Sequence, residues 1–483
     1  MDVATRMPLP IRPTHPAPSV TVDAAAARNS SRKLDNWARF FLAAILLSWG
    51  AGLVVGFQPA LFALTALGFL AAIFGMRRPL VGLVGIGMLS TLDAVSRALL
   101  MTGGLLRWNS FNYWLICAML LNVTFFIKLK DVHSRLVLLF ILLLSFGLLF
   151  TAETDMESGY MSVLNVLAYF GMLVYFSRQT KDPRVWYLQG LVCGTLAAVG
   201  SLVYYLQKSG LPYVNPNAWS YFPLTAIFSL CLGYQFAPRG WKSQIPFWLL
   251  AVTNYAWIFL SGSRGSMLVG SACMLFLLFT TRSMSQRFIY AISAVLIGLV
   301  VIHNFTDLDA EAIHRVTKLL NPNEKLAART SGRSDLALAA WIIFTEHPFG
   351  VGTGGFGNAW AKMGYREDLS GFKYGTEMQA HSGWTKTLAE NGVLGITVLI
   401  SLVASFAIVG WKKRRLGIFP IGFIVTTVFS LAFLATDFQG KGLWYFAAGA
   451  TVLLSLKATS PLIQHGMPQK QARPAEPAMR RRS

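Results

Sequence analysis

An arginine flanked by serine and glycine marks the first candidate site. Arg264 lies in the sequence Ser-Gly-Ser-Arg-Gly-Ser at residues 261–266, between two apolar segments that leave no room for a long loop. A guanidinium group is permanently charged and binds phosphate through paired hydrogen bonds, and glycine lets a ligand approach the backbone closely. The pattern favours an anion site with Arg264 and Ser263. The alternative is an arginine that reaches the membrane surface and anchors a helix end.

Two further arginines, Arg329 and Arg333, are separated by Thr-Ser-Gly in a long hydrophilic stretch, Asn304–Ser382. The apolar spacing of the next residues, Leu336–Phe344, predicts an amphipathic helix. Arg333 would then lie beside a helix N-terminus, where backbone N–H groups already favour anions. Such a corner suits a phosphate group, with Arg329 as a further substrate contact.

Two interpretations of Arg333 remain open. Ser331 or Ser334 is expected to cap the helix, which places the guanidinium at an anion site beside that cap. In the other interpretation, Arg333 pairs with Asp335 or Glu346 on the surface of the loop.

A histidine, His381, stands where the hydrophilic stretch gives way to another apolar segment. The ordinary pKa of histidine, about 6.5, suits a general base. The alternative is a structural histidine whose ring is satisfied by its neighbours. Glu390 follows about two helical turns later, too far along a straight helix to orient the ring, so we expect it to support the substrate site from a distance.

Two loop motifs complete the candidates. A glycine-dense sequence at residues 347–357 lacks the preceding strand and following lysine of a phosphate-binding loop, which favours a flexible hinge or a loop that shapes the substrate. Asn217, in the sequence Asn-Pro-Asn before an apolar segment, is a candidate polar contact. Its alternative is a simple turn before a helix.

The elements that must position these residues are membrane helices. The chain has 483 residues, of which 54% are hydrophobic and 13% charged, and its mean hydropathy is +0.51. These values exclude a soluble domain of ordinary surface. Segments long enough to cross a bilayer as helices occur about fourteen times, and they include Arg135–Leu149, Met267–Thr280 and Trp384–Val409. We predict an all-α polytopic membrane protein.

The loops between these segments predict the orientation of the chain. Basic residues occur in every second loop, and such loops lie in the cytoplasm, so fourteen spans place both termini in the cytoplasm and the long hydrophilic loop outside. The predicted divisions are a disordered N-terminal arm at 1–36, helices 1–11 at 37–303, a periplasmic loop at 304–383, helices 12–14 at 384–457 and a basic tail at 458–483.

Charge and motifs narrow the possible partners and cofactors. The net charge of +21 arises largely from the tails and inner loops, which favours anionic lipid headgroups and no nucleic acid. The cysteines all lie in apolar segments, and the sequence contains no nucleotide-binding glycine pattern or metal-ligand cluster. We therefore expect no metal and no cofactor. A transporter is the rival class, because Asp93 and Arg97 lie one helical turn apart within a predicted span.

These motifs, in this order, resemble the O-antigen ligase and Wzy-type polymerase superfamily. The resemblance rests on Asn-Pro-Asn before a span, Ser-Gly-Ser-Arg-Gly at a helix end, Ser-Gly-Arg-Ser-Asp with the glycine-dense turn in a large outer loop, and a histidine followed nine residues later by Glu-x-Gly. It covers roughly residues 210–400. In one departure, Ser382 follows the histidine where the family commonly has asparagine.

The resemblance implies a GT-C-like, metal-independent glycosyltransferase of the bacterial inner membrane. Its donor would be a glycan on undecaprenyl diphosphate, its acceptor another lipid-linked glycan or lipid A-core, and a flippase and a chain-length regulator would be its partners. Arg264 and Arg333 would hold the diphosphate, and His381 would deprotonate the acceptor hydroxyl. The number of predicted spans and the His-to-Glu spacing favour an exopolysaccharide or O-antigen polymerase over a ligase.

Overall fold

The computed structural model describes residues 131–152, 155–179, 183–207, 216–237, 241–281, 284–292, 332–363, 380–414, 419–433 and 441–455. All of them belong to one compact unit. The N-terminal arm, the first four predicted spans, the basic tail, Asp93, Arg97 and Arg329 lie outside the described residues.

Long α-helices account for most of the described residues, and no strand occurs in these ranges. The helices are α1 Val132–Gly147, α2 Met156–Gln179, α3 Pro183–Gln207, α4 Pro216–Tyr234, α5 Trp241–Leu260, α6 Arg264–Thr280, α7 Arg333–Glu346, α8 Phe356–Lys362, α9 Gly383–Lys412, α10 Phe419–Phe433 and α11 Lys441–Ser455. A 3₁₀ turn, Leu148–Phe150, extends α1, and residues 284–292 are also helical.

Membrane character is clearest in three of the described helical segments, Val132–Phe150, Arg184–Val203 and Gly383–Lys412, which are long and apolar enough to cross a bilayer. A helix satisfies its own backbone hydrogen bonds, as the bilayer interior requires. The chain is thus a helical membrane protein. The total of fourteen spans and the GT-C-like architecture stay predictions.

Aromatic side chains join four helices into one core. Phe406 of α9 contacts Phe423 of α10 with ring centroids 5.3 Å apart, and Phe423 contacts Phe446 of α11 at 5.6 Å. Phe446 in turn stacks on Phe228 of α4 at 5.1 Å. Aromatic pairs at such separations stabilise packing beyond the area that they bury. This core fixes α4 and α10, the two helices whose ends meet at the candidate site.

Helix α9 is broken at Gly392, and the glycine-dense loop closes the break. Gly392 has φ 57° and ψ −149°, which interrupts the helical hydrogen bonds. The N–H of Val351 donates to the carbonyl oxygen of Ala389 at 3.1 Å, and the N–H of Val393 donates to the carbonyl oxygen of Pro348 at 2.9 Å. The loop is therefore packed against α9, which argues against a flexible hinge, one of the two alternatives that the sequence left open.

Replacing Gly392 with alanine should destabilise this joint. The added Cβ would lie 2.1 Å from the carbonyl oxygen of Pro348, and the backbone angles there are almost confined to glycine. We expect a loss of about 2 kcal/mol or more in the free energy of unfolding, since strain alone costs about 1–3 kcal/mol. Thermal denaturation of the purified protein in detergent measures it.

Gly194→Ala in α3 is the matched control for that substitution. Its Cβ would meet only the ends of leucine side chains, at 3.1 Å or more, and these can shift. Equal melting temperatures for Gly392→Ala and Gly194→Ala would contradict the importance of the break.

Candidate functional site

Serine side chains join the N-terminal turns of α4 and α6. The hydroxyl oxygens of Ser220 and Ser266 lie 2.7 Å apart, and the hydroxyl of Ser263 donates to Ser266 at 3.2 Å. All three serines are buried. Asn217 lies in the first turn of α4, one turn before Ser220. The first turns of α4 and α6 thus meet, although 46 positions separate the two hydrogen-bonded serines in sequence.

Arg264 begins α6 at this junction. Gly262 has φ 70° and makes the sharp turn out of α5, and Ser263 stands at the N-cap position with extended backbone. Arg264 is therefore the first residue of α6, and its side chain is half-buried. A helix N-terminus with a guanidinium beside it attracts anions.

Arg333 lies directly over the first turn of α6. A Cβ built on Gly265 would lie 3.2 Å from both terminal guanidinium nitrogens of Arg333. Nη1 of Arg333 also donates to the carbonyl oxygen of Phe433, at the end of α10, at 3.3 Å. The structure thus places the Arg333 guanidinium beside the residue that follows Arg264, as an anion site formed by both arginines requires.

The N-terminus of α7 differs from the sequence expectation in its cap. Gly332, with φ 78°, occupies the N-cap position without a side-chain cap. Ser334 lies inside the first turn, and its hydroxyl donates to the carboxylate of Asp335 at 3.3 Å. Of the two serines expected to cap α7, Ser334 does not do so, because Gly332 occupies the N-cap position and Ser334 lies inside the helix. Ser331 lies outside the described residues.

Burial strengthens the electrostatic influence of Arg333. Removal from water lowers the pKa of its guanidinium below the ordinary value, and the nearby Tyr221 side chain on α4 acts in the opposite direction. A charge in a poorly hydrated site interacts more strongly with a ligand than the same charge in water. Tyr221 was missed in the sequence because one tyrosine within an apolar segment carries no signal.

Gly265→Ala should reduce activity without altering any charge. Its Cβ would lie 2.0 Å from the carbonyl oxygen of Phe433 and against the Arg333 guanidinium, so α6, α10 or Arg333 must move. A displacement of about 1 Å at a reacting centre costs on the order of 10²-fold in rate. The initial rate of the catalysed reaction, compared between Gly265→Ala and the wild type, measures this loss.

Gly270→Ala, on the same helix, is the control for Gly265→Ala. The nearest atoms to its Cβ belong to the Tyr255 ring, at 3.1 Å or more. Equal rates for the two alanine variants would show that the contact between α6 and Arg333 has no functional importance.

His381 immediately precedes α9 in a strained conformation. Its φ of 51° is the only positive value at a non-glycine residue among the described residues. Such strain costs free energy and is typical of functional sites. Its neighbour Ala380 packs in one apolar cluster with Leu336, which is one turn after Arg333. The His381 turn is thereby fixed against the start of α7.

Glu390 binds the glycine-dense loop. Its carboxylate accepts from the N–H of Gly354 at 2.8 Å and from the N–H of Phe356, at the start of α8, at 3.4 Å. It also pairs with Lys386 at 3.6 Å, and both side chains are buried. At about 1.5 Å per residue, Glu390 stands roughly 14 Å along α9 from His381. These contacts show that Glu390 holds the glycine-dense loop against α9.

The sequence predicts only part of the contacts made by Lys386 and Glu390. Their i,i+4 spacing predicts an ion pair on one helix face, whereas the hydrogen bond from Lys386 to Ser162, at 3.3 Å, joins residues 224 positions apart. The sequence carries no signal for that contact.

One known family matches part of this chain. Residues 247–400 match the family model Wzy_C, described as O-antigen ligase. The match confirms the resemblance to the O-antigen ligase and Wzy-type superfamily. The matched segment of the O-antigen ligase family runs from α5 to the middle of α9 and contains Arg264, Arg329, Arg333, His381 and Glu390. Comparison with curated proteins gives no significant match.

Proposed function

We propose that this chain is a GT-C-like, metal-independent glycosyltransferase that acts at the periplasmic face of the bacterial inner membrane. Its donor is a glycan on undecaprenyl diphosphate, and its product is a surface polysaccharide, exopolysaccharide or O-antigen. The observation that carries the proposal is the half-buried guanidinium of Arg333 beside the first turn of α6. The family match supports it.

The arginines act on the leaving group. In the proposed step, an acceptor hydroxyl oxygen attacks the anomeric carbon, and the bond from that carbon to the diphosphate oxygen breaks. The electron pair stays on the departing lipid diphosphate, whose negative charge rises in the transition state. Arg264, Arg333 and the N-terminus of α6 stabilise that charge, because fixed donors in a poorly hydrated site need no reorganisation. Ser263 and Asn217 are proposed as further substrate contacts, and Arg329 as another cation.

His381 is the proposed general base. It receives the proton of the acceptor hydroxyl as the new glycosidic bond forms, which avoids a charged oxonium product. General-base assistance contributes on the order of 10²- to 10⁴-fold in rate. The left-handed conformation at His381 supports a functional role, because a non-glycine residue adopts it only when its surroundings require it.

Another lipid-linked glycan is the favoured acceptor, which makes the protein a polymerase. Lipid A-core is the alternative acceptor, and the description of the matching family as O-antigen ligase favours that reading. The purified full-length protein should be given a lipid-linked repeat unit, with EDTA present, and with or without lipid A-core. A ladder of longer lipid-linked glycans indicates a polymerase, and transfer only to lipid A-core indicates a ligase. No product with either acceptor would contradict glycosyl transfer and favour transport.

A further inference from the structure

A second cleft lies away from the arginines and is not used by the proposed chemistry. Its volume is about 700 Å³, within the roughly 300–1,000 Å³ typical of small-molecule sites. The end of α1, the glycine-dense loop, α8 and the break in α9 form its walls. Neither Arg264, Arg333 nor His381 lines it.

The cleft and the arginine site lie near opposite ends of α7, and the cleft lies beside the break in α9 rather than at the His381 turn. Arg333 begins α7, whereas Ile343 and Glu346 near its other end line the cleft. At about 1.5 Å per residue, the ends of α7 are roughly 20 Å apart. Likewise, His381 precedes α9, and Asn391 lines the cleft ten residues later. A chain of several sugar units can extend between the two places.

Polar groups in this cleft need a ligand. Within the described part of the chain, Oδ2 of Asp155 and Nδ2 of Asn391 are buried and have no hydrogen-bond partner. The Asn391 side chain is only 8% exposed, so the missing bond is costly. Oδ2 of Asp155 is an acceptor and Nδ2 of Asn391 is a donor, and both residues line the same cleft.

The polar part of the wall suits a sugar rather than a hydrocarbon chain. Asn358 and Lys362 of α8 add polar groups, and the exposed rings of Phe150 and Phe349 offer flat apolar surface. Burial raises the pKa of Asp155, while the N–H of Asn358 and the charges of Lys362 and Lys386 act in the opposite direction. An alkyl chain against these groups would leave them unsolvated and unpaired. Hydroxyl groups of a saccharide would satisfy them.

We propose that this cleft binds the glycan of the substrate several sugar units away from the reacting one, with Asp155, Asn391 and Asn358 as polar contacts. The inference rests on the proposed function, because it assigns the cleft to part of the same substrate. It adds a site for the body of the glycan, which explains how an enzyme that reacts at one anomeric carbon recognises a whole repeat unit.

Binding to the purified full-length protein tests this. The probes are the oligosaccharide released by mild acid from the strain's own lipid-linked repeat, and undecaprenyl diphosphate without sugar. Asp155→Ala should raise the Kd for the oligosaccharide about ten-fold, the loss expected for one hydrogen bond to a charged group, and Asn358→Ala should raise it by a smaller factor because its amide is neutral. The Kd for undecaprenyl diphosphate should not change. Thr345→Ala, an exposed residue of α7 outside the cleft, is the control.

Asp155→Asn shows whether weaker binding in Asp155→Ala arises from misfolding. It retains an oxygen that accepts from the N–H of Asn358 and replaces Oδ2 with a donor, so we expect a folded protein with weakened oligosaccharide binding. Unchanged oligosaccharide binding in these variants would overturn the cleft proposal, and so would weakened binding of undecaprenyl diphosphate, which would assign the cleft to the lipid.

His381→Ala separates this inference from the proposed function. It should lower the rate of transfer about 10²- to 10⁴-fold and leave oligosaccharide binding intact. If His381→Ala retains transfer while the cleft variants still lose oligosaccharide binding, the catalytic proposal fails and the cleft stands.

Discussion

Arg333→Ala should lower the initial rate of glycan transfer by about 10²- to 10³-fold, the usual loss when one preorganised donor to a developing negative charge is removed. The Arg333 side chain is half-buried beside the first turn of α6, and its Nη1 donates to the carbonyl oxygen of Phe433 at 3.3 Å. The group is therefore fixed before the substrate arrives. Transfer from a purified lipid-linked repeat, measured at equal protein concentration, gives the rate.

Arg333→Lys distinguishes charge from geometry. Lysine keeps the positive charge but lacks the planar pair of donors, so we expect a rate between those of the wild type and Arg333→Ala. Arg287→Ala is the matched control, because Arg287 also donates to backbone carbonyl oxygens at a helix end, those of Thr281 at 2.7 Å and Phe279 at 3.1 Å. If Arg333→Ala and Arg287→Ala lose activity equally, the Arg333 site is structural.

Local sequence patterns predict that Arg264 and Arg333 lie near helix ends, but they cannot show that Arg333 lies beside Gly265. The Ser-Gly-Ser-Arg sequence indicates a helix end, and α6 does begin at Arg264. The contact between Arg333 and the carbonyl oxygen of Phe433 spans 100 positions. Such contacts depend on how α6, α7 and α10 pack, and hydropathy determines only that each is a helix. The long-range geometry of the anion site therefore requires the structure.

The glycine-dense loop shows a different limit of sequence reasoning. Its glycines indicate unusual backbone angles, and Gly350, Gly352 and Gly354 do have positive φ values between 90° and 96°. The sequence cannot show that these glycines fill the break at Gly392, because an Asn-Gly-Val sequence within an apolar segment predicts an uninterrupted helix equally well. Glu390 could likewise be placed on α9, but not against the N–H groups of the loop.

The strain at His381 is a feature that sequence patterns do not reveal at all. An apolar segment that begins near Trp384 predicts α9, yet nothing local predicts a left-handed histidine before it. The conformation follows from Ala380 packing against Leu336 of α7, with the Thr385 hydroxyl donating to the carbonyl oxygen of Ala380 at 3.2 Å. Tertiary packing therefore sets the direction in which the chain enters α9.

Substitutions at His381 change both a proposed general base and a strained backbone position. His381→Ala should lower the rate of transfer about 10²- to 10⁴-fold, because the acceptor hydroxyl loses its general base. Alanine also changes the energy of the left-handed backbone, so a second variant is needed. His381→Gly adopts φ near 51° at no steric cost. Its rate of transfer should fall by the same factor as that of His381→Ala, whereas its melting temperature should equal or exceed that of the wild type.

The pH dependence and rescue of His381→Gly give the test that a merely structural histidine would not meet. A general base must be unprotonated, so the wild-type rate should fall as pH is lowered, and this acid limb should be absent from the His381→Gly profile. Added imidazole can occupy the space left by the ring and accept the proton, and it should restore part of the rate to His381→Gly but none to Arg333→Ala. A wild-type acid limb that persists unchanged in His381→Gly would assign proton transfer to another group and leave His381 as a packing residue at the start of α9.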